Sequence, residues 1–240
     1  RLSNRALDTQ ALPKHIKDSL AFLRFVRPRE VVPDEVAARL PPLLPPQIEE
    51  HRGRRTLVLD LDEMLIHSHL SLLPGSPPPA LQFSMVDAPS LPLHAHVYVR
   101  PFARLLLQLA ANVFEVVIFT ASTAVYADQV LDFLDPGGQC VSHRLYRQHC
   151  TDINGGLFKD MRRLGRPVED CVLVDNSPLA GGLTPDSTVL VASWYGDDEE
   201  DSELLDLLGV LEECAARDSI PEFLAARYGF GAFVEELQRR

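Results

Sequence analysis

Four short, mostly apolar runs recur along the chain, and polar side chains follow each of them. They occupy residues 56–59, 114–119, 171–174 and 189–192. Apolar runs of this length, rich in β-branched residues, are typical of strands that are buried on both faces of a parallel sheet. The pattern therefore predicts four buried strands whose carboxyl ends carry polar groups.

Apolar residues at helical spacing occur between and after these strands. A helix is predicted after Pro101, a second from about residue 204, and a third over residues 220–228. The apolar side chains of the first are Phe102, Leu105, Leu106 and Leu109. Strands that alternate with helices through right-handed connections predict a doubly wound, mostly parallel Rossmann-like α/β sheet.

Two stretches with partial alternation predict small antiparallel hairpins. Residues 83–86 and 95–99 form the first pair, and residues 141–150 and 157–158, joined through the turn at 154–156, form the second. We therefore expect a hairpin insertion beside the parallel sheet.

Residues 1–50 differ in character from the remainder. Leu12, Ile16, Leu20 and Leu23 recur at helical spacing, and six residues at 41–46 include four prolines that break regular structure. We predict that residues 1–50 form an N-terminal helical extension with a proline-rich connector, and that residues 51–240 form the main domain.

Composition and charge argue against some classes of function. The net charge of -11 argues against direct nucleic-acid binding. The cysteines show no C-x-x-C pair, which favours reduced thiols in an intracellular protein. No apolar run is long enough to span a membrane. Because the chain begins with arginine, the possibility of an anchoring segment ahead of residue 1 stays open.

Two carboxylates, Asp60 and Asp62, follow the first strand. Side chains at positions i and i+2 of an extended chain point the same way, so both leave the strand end together. Ligands of open α/β sheets bind beyond these ends, and like charges held this close need a cation or a shared proton. Alone, such a pair is more often a turn or a helix cap.

Further polar groups stand at the other predicted ends. Thr120 follows the second strand, Asp175 and Asn176 follow the third, and Lys159 ends the second hairpin. Each alone is more often a cap or a surface residue, but together they would converge on one crevice. Neither a zinc-ligand spacing nor a glycine-rich nucleotide motif is present.

Six motifs in order resemble the small C-terminal-domain phosphatases of the haloacid-dehalogenase superfamily, which include polymerase-tail (FCP/SCP-like) and Dullard-type enzymes. The resemblance covers residues 55–230 and rests on Leu-Asp-Leu-Asp-Glu-Met-Leu-Ile-His, Phe-Thr-Ala-Ser, His-Arg-Leu-Tyr-Arg-Gln-His-Cys, Phe-Lys-Asp, Val-Asp-Asn-Ser-Pro and Ala-Ser-Trp. Several ordered motifs are far more specific than any one of them.

The resemblance implies the chemistry of the acids. Asp60 would be the nucleophile that forms an aspartyl-phosphate, and Asp62 the general acid and then the base. One Mg²⁺ would be held by the Asp60 carboxylate, the Asp62 backbone carbonyl and Asn176, with Asp175 acting largely through water.

The resemblance also implies phosphate and substrate contacts. Thr120 and Lys159 would contact the phosphoryl oxygens, Arg147 would lie near bound phosphate, and Tyr126 near the peptide. A phosphomonoester brings nearly two negative charges, so Lys159, Arg147 and Mg²⁺ are needed to reverse the repulsion from the acids.

The expected function is a Mg²⁺-dependent protein serine/threonine phosphatase. Its substrate would be phosphoserine or phosphothreonine in the RNA polymerase II tail or a related phosphoprotein, and we expect a monomer in the nucleus, at the nuclear envelope or in the cytoplasm.

Three alternatives stay open. Met64 stands where the family has threonine or valine, which leaves a weak or inactive phosphate-binding scaffold as one alternative. A lipin-directed Dullard-type phosphatase is another. A small-molecule phosphatase is disfavoured because no large cap segment separates Asp62 from Thr120.

Overall fold

The computed structural model describes residues 12–71, 75, 77–85 and 93–239. The strands are β1 (Thr56–Leu59), β2 (Ile66–His69), β3 (Leu81–Met85), β4 (Leu93–Val99), β5 (Glu115–Phe119), β6 (His143–Leu145), β7 (Thr151–Ile153), β8 (Gly156–Phe158), β9 (Cys171–Asp175) and β10 (Thr188–Leu190). The helices are α1 (Lys14–Val26), α2 (Pro28–Val31), α3 (Asp34–Ala37), α4 (Ala103–Ala111), α5 (Ala124–Leu134), α6 (Glu203–Ala215), α7 (Ile220–Tyr228) and α8 (Phe230–Arg239).

The central sheet has the strand order β10-β9-β1-β5-β6, and every neighbouring pair in it is parallel. Strands β1, β5 and β9 are buried throughout. Alternate residues serve two cores: Leu57 and Leu59 enter one cluster, whereas Val58 enters another. Burial on both faces explains the unbroken apolar runs, and the prediction of a doubly wound parallel sheet is confirmed.

The parallel sheet has a fifth strand that the sequence pattern did not indicate. Residues 141–150 were predicted to form one arm of a hairpin, but His143–Leu145 instead forms β6, parallel to β5. The hairpin starts later, with β7 paired to β8 around Asn154 and Gly155, which both have positive φ. The prediction was wrong because a three-residue edge strand is too short to show a period.

The predicted insertion next to the acidic strand is an antiparallel sheet. Strands β3 and β4 pair antiparallel, as the alternation indicated, and β2 adds a third strand on the other side of β4. Val86, the last residue of the predicted first arm, lies outside the described residues. In the sequence, this sheet lies between Asp62, just after β1, and Thr120, just after β5.

Of the four apolar side chains named for the helix after Pro101, only Leu106 is buried in helix α4. Ala103, Leu106, Leu107 and Ala110 are buried, whereas Phe102, Leu105 and Leu109 are each about two-fifths exposed. The segment carries apolar residues on more than one face, so its own pattern does not decide which face turns inward. Packing against α6 and β5 makes that choice.

The N-terminal helix packs on the C-terminal one. Leu23 of α1 is fully buried in a cluster with Phe158, Phe230 and Val234. The side-chain amide of Gln238 donates to the carbonyl of Leu23 at 3.0 Å. In the described part of the chain, no helix is long and apolar enough to cross a membrane.

Candidate active site

Three charged side chains meet at the carboxyl end of the central sheet. Leu59 of β1 pairs with Val174 of β9, so the chain delivers Asp60 and Asp175 side by side. Nζ of Lys159, just after β8, donates to Asp60 Oδ1 at 2.5 Å and to Asp175 Oδ2 at 2.6 Å. All three are buried, with 8% of Asp60, 3% of Lys159 and 2% of Asp175 exposed.

This triad has more negative than positive charge when both acids are ionised. Burial raises the pKa of Asp60 to about 8, because Lys159 offsets only part of the burial cost and of the repulsion from Asp175. Burial alone would lower the pKa of Lys159, but Asp175 and Asp60 outweigh it and raise that pKa above its usual value. The triad therefore favours a further positive charge.

The second aspartate of the pair is held by hydroxyl groups. Asp62 Oδ2 accepts from Ser122 Oγ at 2.7 Å and from Thr120 Oγ1 at 3.3 Å, and Oδ1 accepts from Tyr126 Oη at 2.7 Å. Burial raises the pKa of Asp62, and the hydrogen bonds from Tyr126 and Ser122 oppose that rise. Asp62 thus has an environment distinct from that of Asp60.

Two of the hydroxyls come from the loop between β5 and α5, and the third comes from the first turn of α5. Thr120 continues the line of β5, its N–H donating to the Leu145 carbonyl at 2.9 Å. Its Oγ1 accepts from the N–H of Ser122 at 3.0 Å. Tyr126, one turn after Ser122, is only 8% exposed, and its hydroxyl donates to Asp62. The sequence reasoning missed Ser122, although a second hydroxyl two residues after Thr120 was the signal for it.

The next polar group of the site is the side-chain amide of Asn176. Its Nδ2 donates to Ser193 Oγ at 2.9 Å, so Oδ1 is the end that can face a cation. The neighbouring Ser177 N–H donates to Asp175 Oδ1 at 2.8 Å. These bonds hold Asp175, the last residue of β9, and Asn176, which follows it.

The oxygen atoms that the structure brings to this edge belong to carboxylates and one amide. Oxygen donors suit Mg²⁺ rather than zinc or copper. Within the described ranges, no group of three or more His, Cys, Asp or Glu side chains could hold a metal by itself. A cation here would need the amide, waters and phosphate to complete its ligands, which is how Mg²⁺ is usually bound.

Arg147 and Cys150 lie at the border of the site. Arg147 is exposed, and its Nε donates to the carbonyl of Ala121 at 2.7 Å, which ties it to the loop that carries Thr120. Cys150 Sγ lies 4.0 Å from the carbonyl of Thr120. Burial raises the pKa of Cys150 to about 11, so this thiol is neutral near pH 7 and is a poor nucleophile.

The loop after Asp62 is held by core packing and by hydrogen bonds to distant residues. Met64 is fully buried in the main core, and its carbonyl accepts from Arg100 Nη1 at 3.2 Å. Arg100 is itself buried and also donates to Ala192 at 2.9 Å. The N–H of Trp194 donates to the carbonyl of Glu63, a residue with φ of 56°. Packing and these bonds hold the loop without a threonine at position 64.

Residues 197–201 form an acidic run, and such a run is most simply a solvated loop. Asp201 departs from that expectation, because both of its oxygens accept from Arg100, at 2.7 and 2.8 Å. A buried guanidinium requires a paired acid, and charge composition alone does not reveal such a partner.

Comparison with solved structures defines the class of fold. The structure of Fcp1, described as an essential RNA polymerase II CTD phosphatase, matches with a TM-score of 0.50, covering 68% of this chain and 51% of that chain at 19% identity. That likeness concerns the fold alone, which is haloacid-dehalogenase-like.

The sequence comparison gives the family. The model for NLI interacting factor-like phosphatases matches residues 55–221, and the chain belongs to this family. The prediction of an FCP/SCP-type member of the haloacid-dehalogenase superfamily is confirmed.

Curated relatives cover the same region. A probable C-terminal domain small phosphatase of Dictyostelium discoideum is 43% identical over 72% of this chain and 54% of the relative. The mouse carboxy-terminal domain RNA polymerase II polypeptide A small phosphatase 2 is 38% identical over 74% and 64%. The zebrafish CTD nuclear envelope phosphatase 1B is 37% identical over 66% of each. The chain thus spans roughly half to two thirds of the length of these relatives.

Proposed function

We propose that this chain is a Mg²⁺-dependent protein serine/threonine phosphatase that works through a phosphoryl group on Asp60. The observation that carries the proposal is the pair of differently held aspartates: Asp60 bonded to a buried lysine, and Asp62 bonded to three hydroxyls. Two carboxyls with different surroundings suit two different roles.

In the first step, a carboxylate oxygen of Asp60 attacks the phosphorus atom. The bond from phosphorus to the seryl or threonyl oxygen breaks, and Asp62 donates a proton to that oxygen. The raised pKa of Asp62 supports this role, because a general acid must still hold its proton near neutral pH. Lys159 and Arg147 offset the charge of the phosphoryl oxygens, with Thr120 donating to one of them.

In the second step, Asp62 takes a proton from water, and the water oxygen attacks the same phosphorus atom. The bond to Asp60 breaks, and inorganic phosphate leaves with the Asp60 carboxylate restored. Asp62 must stay in one place for both steps, and the bonds from Tyr126 and Ser122 support that.

The groups that would hold Mg²⁺ are the Asp60 carboxylate, the Asp62 carbonyl and Asn176 Oδ1, with Asp175 acting through water. Bound Mg²⁺ supplies positive charge that favours ionised Asp60 and stabilises the developing charge on phosphate. Because burial raises the pKa of Asp60, a nearby positive charge is required to keep its carboxylate ionised.

The substrate is proposed to be a phosphoserine or phosphothreonine side chain of a protein, in the nucleus or at its envelope. The names of the mouse and zebrafish relatives support the polymerase tail as a candidate substrate and the nuclear envelope as a candidate location. A lipin-type phosphoprotein stays the alternative that the family resemblance implies. The segment between Asp62 and Thr120 holds a small three-stranded sheet, which supports access for a protein.

Steady-state hydrolysis of an aryl phosphate and of phosphoserine peptides tests the proposal. We expect turnover with Mg²⁺, loss of turnover with chelator, and loss of turnover in Asp60→Asn. Asp218→Asn, at an exposed position, is the matched control and should retain full activity. Equal rates with Mg²⁺ and with chelator, or an active Asp60→Asn variant, would reject the proposal.

The same assay decides on a phosphate-binding scaffold. The only reason for that alternative was Met64, and its burial in the core supports a packing role. Phosphopeptide binding without any turnover by the parent chain would favour the scaffold. Profiling with polymerase-tail and lipin-derived phosphopeptides would then rank the substrates of an active chain.

A further inference from the structure

Helix α1 lies outside the residues that match the family model, yet two of its side chains reach the loops behind the proposed metal site. His15 Nε2 lies 3.0 Å from Ser193 Oγ, the atom that accepts from Asn176. Ser19 Oγ lies 3.4 Å from Ser177 Oγ. A single hydroxyl group therefore connects His15 to Asn176.

The position of α1 is fixed by packing at its other end. Leu23 is fully buried, and a Cβ atom on Gly182 would lie 2.5 Å from Leu23 Cδ2, so the helix approaches the domain as closely as glycine permits. Arg27 Nη2 donates to the carbonyl of Gln238 at 2.9 Å, which fastens the end of α1 to α8. His15 is thus held by the core as well as by its own hydrogen bond.

The hydroxyl of Ser193 can act in two directions. It has one hydrogen to donate and can accept others. When that hydrogen is donated to Nε2 of His15, Ser193 can only accept from Asn176, so the amide turns its NH₂ group towards Ser193 and its oxygen towards the cation.

Without His15, the hydroxyl hydrogen is free to point at Asn176. It can then be donated to Oδ1, which favours the flipped amide. A flipped amide presents its NH₂ group to the cation, and an NH₂ group cannot ligate Mg²⁺. The orientation of the ligand therefore depends on the partner of Ser193.

We propose that His15 is a positioning residue that fixes the amide orientation of Asn176 and so raises the affinity for Mg²⁺. The proposal rests on the proposed function, since Asn176 is a ligand only if the metal site exists. Loss of a partner that orients a metal ligand typically weakens metal binding about 10- to 100-fold. Because His15 acts through the hydroxyl of Ser193, we expect its effect to lie near the lower end of this range.

Isothermal titration of Mg²⁺ into the whole chain tests this. We expect His15→Ala to bind Mg²⁺ about tenfold more weakly. His15→Gln should bind almost as tightly as the parent, because its carboxamide oxygen can accept the Ser193 hydrogen at a similar reach. Ala21→Ser, at an exposed position of the same helix, should leave the affinity unchanged. Urea unfolding without Mg²⁺ measures any loss of folding separately.

The outcomes are distinct. If the parent binds Mg²⁺ and hydrolyses phosphate but His15→Ala binds as tightly, the role of His15 is overturned and the proposed function stands. Equal weakening in the Ala and Gln variants, matched by a loss of folding stability, also overturns it by assigning His15 a structural role. A parent chain that neither binds Mg²⁺ nor turns over overturns both proposals.

Discussion

Three hydroxyl groups converge on Asp62, while the other acid of the pair meets an ammonium group. Hydroxyls can hold either protonation state of a carboxyl, because they both donate and accept, whereas an ammonium only donates. Asp62 is thereby suited to gain and lose a proton, and Asp60 to remain ionised once more positive charge is near. The difference between two aspartates in one motif arises from neighbours that are distant in sequence.

Replacing Tyr126 with phenylalanine should lower kcat. The substitution removes the 2.7 Å bond to Asp62, and a hydrogen bond to a charged group is worth about 1.5–3 kcal/mol, or about 10- to 100-fold in rate. The change in kcat with a phosphoserine peptide measures the effect. Tyr228→Phe makes the same change on α7 and should be silent. An unchanged kcat would show that Tyr126 does not hold the acid.

At the scale of elements, prediction succeeded where burial on both faces left a continuous signal. Strands β1, β5 and β9 were predicted because each is buried along its whole length. The three-residue β6 was missed, since two of its residues are partly exposed. The local pattern of α4 also did not reveal its buried face, because tertiary packing selects that face.

The loop after α5 depends on one ionised side chain. Asp135 accepts from the N–H groups of Gln139, Cys140 and Val141 at 2.9–3.0 Å. Burial opposes ionisation, but the N–H groups of Val141, Cys140 and Gln139 outweigh it and lower the pKa of Asp135. The folded pKa is below the unfolded value, so the stabilisation is complete above about pH 4 and is lost as the pH falls through the folded pKa.

We therefore expect Asp135→Asn to destabilise the fold in a pH-dependent way. At neutral pH, its amide NH₂ would face backbone donors, at a cost of about 1–3 kcal/mol. In urea unfolding, the difference in free energy of unfolding between the variant and the parent should become smaller as the pH drops below about 4. Asp132→Asn, whose side chain is largely exposed, is the control. A gap that is constant with pH would contradict the role of the charge.

For the whole molecule, the chain ends are the least predictable part. The pattern of Leu20 and Leu23 predicts a helix, and both residues are buried, but nothing local reveals that α1 packs on α8, more than 200 residues away. The proposed site has the same character. Motif order predicted the candidate site residues, whereas the hydrogen bonds made by Ser122, Ser193 and Arg100 follow from tertiary contacts.

Leu23→Ala tests whether the extension belongs to the folded unit. Truncating a fully buried leucine costs about 2–5 kcal/mol, so the free energy of unfolding in urea should fall by that amount. Phe25→Ala on the same helix, where 79% of the side chain is exposed, should change it by less than about 0.5 kcal/mol. Equal, small effects would place α1 outside the folded unit.

The most direct measurement is mass spectrometry of the chain quenched during turnover. Asp62→Asn should lack the base for the second step, so the phosphorylated enzyme should accumulate when an aryl phosphate, with its good leaving group, is the substrate. We expect one phosphoryl group per chain, located on the peptide that contains Asp60 and absent from Asp60→Asn. A phosphoryl group on another residue, or turnover by Asp60→Asn, would contradict the mechanism.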